Sequence, residues 1–274
     1  MNIQANSYGS ARYPASLASK LDLPLMICFR VTRFCNARCG FCLAPPDGGN
    51  HPKISELKNR VDWLLANGVK TMHFCGGEPT IHHQLPELIS YTKMIGGKSK
   101  LTTNGILVSD ELIHALKFAQ TEVKVSLHGN EIHHNNIVGK NAFHSTSESI
   151  LRLIRNGIRT SVQTTIVHNH LDAMDWIIQF CLENSMKKVS FLPFIPRGYG
   201  LENRSLYDLS LAEQRMLPEL IKQNRREYMN RLDIRLLNFN SRPIHVVEPD
   251  GRIVLEGATE ARDTYLYQIP NVSL

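Results

Sequence analysis

Between residues 25 and 193 six short apolar runs of strand character alternate with five segments that carry apolar residues at helical spacing. The runs at 25–31, 69–75, 98–103, 122–127, 160–167 and 188–193 read as strands. Residues 54–67, 85–94, 109–119, 145–156 and 172–184 read as helices, several of them closed by a glycine or asparagine. Parallel neighbours cannot be joined by a hairpin, and each intervening helix supplies the crossover they need. Right-handed crossovers curl such a sheet toward a barrel. Eight units would close it and six leave it open. The predicted fold is therefore α/β, a partial (β/α)6 barrel.

After Arg197-Gly198-Tyr199-Gly200 the pattern changes. Residues 211–228 read as one long charged helix. Residues 234–238 and 245–255 read as strands, the second broken by a Pro249-Asp250-Gly251 turn. This tail is too short for a core of its own and is expected to lie against the barrel. The division that follows is an amino-terminal arm at 1–22, a barrel core at 23–200 and a carboxy-terminal extension at 201–274.

Bulk properties narrow the class. No apolar run approaches the roughly 18 residues of a membrane span, and the polar arm lacks the layout of a signal peptide. A cytoplasmic protein is expected. The net charge of +6, from 31 basic and 25 acidic residues, is scattered rather than gathered into a stripe. It reads as a solvated surface and argues against nucleic acid as a partner.

The chemistry is announced by Cys35, Cys39 and Cys42, a C-x3-C-x2-C run directly after the first strand. Three thiolates on one short loop can hold three corners of a cubane [4Fe-4S] cluster, which leaves the fourth iron open to bind and activate a small molecule. Zinc is the competing metal, but its sites usually pair two such units, and no second cysteine pair occurs. Ligands of open parallel sheets meet the loops at the carboxyl ends of the strands. The cysteine loop, Gly76-Gly77-Glu78-Pro79-Thr80, Thr102-Thr103-Asn104-Gly105 and Ser126-Leu127-His128-Gly129 all fall at such ends.

With those motifs in place, residues 25–200 resemble a radical SAM enzyme. The cysteine run matches that superfamily's cluster motif, and Gly76-Gly77-Glu78-Pro79 matches its motif for the methionine end of S-adenosylmethionine. Two glycines let backbone approach a ligand closely, and a carboxylate at Glu78 can accept from an ammonium group. Phe41 resembles the aromatic that packs near the adenine, and Asn104 and Ser126 stand where the family places polar contacts to the cofactor. Ser126-Leu127-His128-Gly129, with His134, Gly139 and Phe143, narrows the likeness to the branch of molybdenum-cofactor, haem d1 and peptide-modifying enzymes. Glu248-Pro249-Asp250-Gly251-Arg252-Ile253-Val254 looks like the scaffold of that branch's carboxy-terminal region. No cysteine follows Cys181, so auxiliary clusters are not expected. A basic residue often precedes the glycine at position 139 in that branch. Val138 stands there, and Lys140 is the candidate replacement.

The resemblance implies a [4Fe-4S] cluster and S-adenosylmethionine as cofactors. It also implies a 5′-deoxyadenosyl radical that abstracts hydrogen from a peptide or small-metabolite substrate, and a reducing partner such as flavodoxin or ferredoxin. Three further residues are candidates for substrate chemistry. Cys75 is either a thiol hydrogen donor or a small buried strand residue. His128 ends a strand at the active face. Arg197 either clamps an anionic substrate group or anchors the tail, and Tyr199 shares that ambiguity. Cys28 and Cys181 read as core residues. The cluster of His128, His133, His134, His168 and His170 matches no ligand motif. Alternatives are a viperin-like enzyme acting on a nucleotide, for which the local match is Cys35-Asn36 and Cys39-Gly40-Phe41-Cys42, or a non-catalytic iron–sulfur sensing module. The methionine-binding motif argues against a sensor.

Overall fold

The computed structural model describes residues 21–46, 51–239 and 243–271. Most of the expected amino-terminal arm lies outside them. Ten strands form one sheet in the spatial order β10-β9-β8-β1-β2-β3-β4-β5-β6-β7. The first six are β1 (Met26–Thr32), β2 (Thr71–Gly76), β3 (Lys98–Thr103), β4 (Glu122–Ser126), β5 (Thr160–Ile166) and β6 (Lys188–Pro193). Each pairs in parallel with the next. The helices α1 (Ile54–Ala66), α2 (Leu85–Met94), α3 (Asp110–Ala119), α4 (Glu131–Val138), α5 (Phe143–Arg155) and α6 (Ala173–Glu183) fall between these strands in the chain.

Alternation along the strands separates two environments. On one face Ile27, Phe29, Met72, Phe74, Leu101, Val123, Val125 and Val162 are buried in the main apolar core with residues of α1, α2, α3, α5 and α6. On the other face His73, Cys75, Thr102, Lys124, Ser126 and Gln163 line a cavity inside the arc. A closed parallel barrel would bury apolar residues on both faces. Here the inner face is polar, as suits an arc that holds ligands.

The tail continues the same sheet. Short helices α7 (Tyr199–Glu202) and α8 (Arg204–Tyr207) lead to α9 (Leu211–Glu227), and then β7 (Asp233–Leu236) pairs in parallel with β6. The next strand, β8 (Ile244–Val247), joins the opposite edge, parallel to β1. Strands β9 (Arg252–Glu256) and β10 (Thr264–Gln268) add antiparallel beyond it. Eight strands thus run parallel, and the gap between β7 and β8 leaves the arc open. The predicted six-unit core is present. The strands of the extension widen its sheet from both edges.

A candidate radical site at the carboxyl ends of the strands

The loop after β1 is held from several sides. Val138, at the end of α4, accepts from the Arg38 N–H at 2.9 Å, and Lys140 donates to the Asn36 carbonyl at 3.2 Å. Gly139 is left-handed (φ +63), and a β-carbon there would sit 2.8 Å from the Arg38 carbonyl. Lys140 therefore does make a contact to the cluster loop. Asn104 donates to Asn36 Oδ1 at 2.7 Å and to Cys35 Sγ at 3.9 Å. From the other side Asn203 donates to the Gly40 carbonyl at 3.1 Å. A loop fixed in this way pre-positions its three thiols, which all line one cavity of about 310 Å³.

Burial pushes the Cys35, Cys39 and Cys42 thiols up, Cys39 to about 12. Free of iron they keep their protons, so metal binding has to displace them. Among the described residues no three His, Cys, Asp or Glu side chains are placed to hold a single ion. A cubane asks for something different, one thiolate at each of three irons, and three thiols on one loop at one cavity are that donor set.

The glycine pair has a structural reason of its own. A β-carbon on Gly76 would lie 2.3 Å from the Thr32 carbonyl, and one on Gly77 would lie 2.2 Å from the Phe34 carbonyl. The end of β2 runs against the start of the cysteine loop, and any side chain would separate them. Glu78 follows, only 1% exposed. Its Oε1 accepts from Thr80 N–H, Thr80 Oγ1 and Thr103 Oγ1 at 2.6–3.0 Å, and its Oε2 accepts from the Asn104 N–H at 2.7 Å. Burial raises its pKa, and these donors oppose the rise. Glu78 thus ties the β2 loop to the end of β3 and lines the cavity, with one bond to Oε2 and three to Oε1. Phe41, Asn104 and Ser126 line that cavity with it.

His128 also lines the cavity but is 4% exposed, and burial pushes its pKa down to about 3. Its Nδ1 accepts from the Thr165 N–H at 3.2 Å, so the neutral ring carries its proton on Nε2. Phe41 meets it edge-on at 5.3 Å, and His134 stacks on it at 5.7 Å. His168 pairs instead with Glu213 at 2.7 Å, which fastens the start of α9 to the loop after β5.

Cys75 lines the cavity, and so does Cys28, read from the sequence as a core residue. The two are hydrogen-bond partners across β1 and β2. That bond, followed by burial, pushes Cys75 well up, so it keeps its proton, and the same bond pulls Cys28 down.

Arg197, in the loop after β6, reaches into the tail. It grips Asp263 through two bonds of 2.7 and 2.8 Å and reaches Glu256 at 2.9 Å. Arg30, buried on β1, binds Glu256 and Glu248, and Arg33 binds Glu248. Of the two readings of Arg197, the anchor is the one its contacts support. Tyr199 is exposed.

The sequence model of the radical SAM superfamily matches residues 29–181, more than half of the chain. The chain belongs to that superfamily. Fe-coproporphyrin III synthase of Methanosarcina barkeri is 30% identical over 227 residues, covering 80% of this chain and 56% of that protein. PqqA peptide cyclase of Rhodopseudomonas palustris is 28% identical over 204 residues, covering 72% of this chain and 54% of its own. The chain thus spans about half the length of the curated relatives it matches. Among solved structures, Streptococcus suis SuiB bound to the precursor peptide SuiA superposes with a TM-score of 0.73 at 19% identity, covering 87% of this chain and 61% of that one. That likeness is one of fold.

For a radical SAM protein the notable additions are residues the motifs do not contain. The network of Arg30, Arg33, Arg197, Glu248, Glu256 and Asp263 had one sequence signal, the tail motif beginning at Glu248. Lys124 and Gln163, paired at 3.0 Å inside the arc, had none beyond strand alternation.

Proposed function

We propose that this protein is a radical SAM enzyme acting on a peptide substrate in the cytoplasm, with a flavodoxin or ferredoxin as electron source. The observation that carries the reading is the meeting of three loop thiols, the Gly76-Gly77-Glu78 turn, Asn104 and Ser126 at one cavity. Cys35, Cys39 and Cys42 would hold the cluster. The glycine pair and Glu78 would receive the methionyl end of S-adenosylmethionine, Asn104 and Ser126 its polar groups, and Phe41 its adenine. Once bound, these cofactors supply one-electron cleavage of a carbon–sulfur bond and hence a hydrogen-abstracting carbon radical. The protein's share is to position the substrate and exclude water. His128 stays neutral near pH 7 and offers a hydrogen-bond donor at Nε2, not a mobile proton. Cys75, which keeps its S–H, fits the role of hydrogen donor.

A peptide is favoured by the relative named as a peptide cyclase and by the neighbour whose structure holds a precursor peptide. A nucleotide triphosphate would need several convergent cations. Of the two cations lining the cavity, Arg30 is occupied by Glu248 and Glu256.

The test is 5′-deoxyadenosine formation by the anaerobically reconstituted protein with dithionite and S-adenosylmethionine, with and without candidate peptides. The wild type should form it and a Cys35/Cys39/Cys42→Ala triple variant should not. Failure to bind iron, or equal product from both proteins, would overturn the reading.

A further inference from the structure

Four charged side chains line the cavity: Arg30, Glu78, Lys124 and Glu256. Arg30 and Glu256 belong to the tail network, in which three arginines face three carboxylates and the charges balance. Glu78 stands at the cofactor end. That leaves Lys124, two residues before Ser126 on β4 and so about 6.6 Å deeper along the strand. Its ammonium donates to Gln163 Oε1 at 3.0 Å and has no acidic partner among the described residues. Two neighbouring cations, on β3 and β7, are paired: Lys100 with Glu122 at 3.0 Å and Arg235 with Asp233 at 2.7 Å. A half-buried, unpaired ammonium in a ligand cavity is costly unless something anionic arrives. Thr102 is the β3 residue in register with Lys124, and His73 bonds to it at 2.7 Å, which adds polar groups at the same depth. Across the cavity Leu192, Leu237, Phe239, Ile244 and Val246 form an apolar wall.

We infer that Lys124, held by Gln163, is the specificity determinant that anchors a substrate carboxylate at the floor of the cavity, with the substrate's apolar body against the tail-side wall. This rests on the reading of the cavity as the substrate site. A cavity of this size admits a side chain or chain end rather than a folded domain. The anchored group is therefore an Asp or Glu side chain or a terminal carboxylate beside apolar residues. Burial pulls Lys124 down to about 8, and Lys188, Lys100 and Arg235 press in the same direction while Cys28 opposes them. An incoming carboxylate supplies the missing counter-charge, and anchoring should weaken as pH rises past 8.

The experiment is calorimetric titration of the reconstituted protein, saturated with S-adenosylmethionine and without reductant, with hexanoate and its uncharged isostere hexanamide. Hexanoate should bind at least about tenfold tighter at pH 7. That preference should vanish in Lys124→Met and survive in Lys124→Arg, with cluster content and melting temperature checked in each. In the wild type the preference should fall about fivefold between pH 8 and 9, a test that needs no variant to fold. Equal binding of the two probes, no binding of either at millimolar concentration, or a preference kept in Lys124→Met would overturn the proposal. Hexyl phosphate binding tenfold tighter than hexanoate would overturn the carboxylate assignment. Binding is read without turnover, so a failed anchor and a failed radical activity give separate results.

Discussion

His128 and His134 are two imidazoles whose folded environment requires them to be neutral. His128 Nδ1 accepts from Thr165 and His134 Nδ1 accepts from the His128 N–H at 3.3 Å, so a proton on either Nδ1 breaks a backbone bond. Burial lowers them to about 3 and about 4, against an ordinary value of 6.5. Unfolded histidines therefore take up protons below pH 6.5 that the native ones refuse. The stability these neutral rings allow is fully present above that pH and falls as pH drops toward 4, by roughly 1.4 kcal/mol per pH unit per histidine. Urea unfolding of the apoprotein at pH 7, 6 and 5 should show this slope, and His128→Phe should flatten it by close to one proton. An unchanged slope in the variant would contradict the assignment.

Strands far apart in the chain are joined by ions. Arg30 of β1 meets Glu256 of β9, 226 positions away, and Arg197 closes the other side. Burial opposes the charge on Arg30, but Glu256 and Glu248 outweigh it and keep the guanidinium charged. Removing the shared acid leaves Arg30 with Glu248 and Arg197 with Asp263 but one buried positive charge in excess, a loss of about 3 kcal/mol. Removing Arg197 instead leaves Glu256 with Arg30, and Asp263 is partly exposed. Glu256→Gln should therefore destabilise more than Arg197→Met in denaturant titrations. The reverse order would show that Arg197 serves the site rather than the tail.

On the scale of the molecule, the tail is part of the sheet. Strand β8 covers the edge of β1, and Glu248 and Glu256 neutralise Arg30. A chain cut after residue 239 would lose all three while keeping every cofactor motif. It should aggregate or unfold without cooperativity in circular dichroism melts, because an unpaired apolar edge and an uncompensated buried charge remain. A soluble, cooperatively melting fragment would show that the tail is an accessory.

Much of this was legible in the sequence because it is local. Strand β3, β6 and helix α2 begin and end where the periodicity places them, since alternation and helical spacing are set by neighbours in the chain. The cysteine loop and the glycine pair were legible for the same reason: their chemistry is written in consecutive residues. The short helix α4 was missed because Glu131–Val138 has little apolar periodicity, and it forms where Asn130 caps it and its end docks on the cluster loop. Residues whose roles depend on partners on other elements, tens of positions away, were not legible in the sequence. The sequence left Arg197 undecided between substrate clamp and anchor, and its contacts with Glu256 and Asp263 support the anchor. Lys124 carries no signal in the sequence, and only the curvature of the arc brings it into the cavity beside Gln163. Local backbone preference determined the elements and the cofactor motifs. The pairing of charges across the open, curved sheet, which no local pattern encodes, decided which polar residues are left free to act.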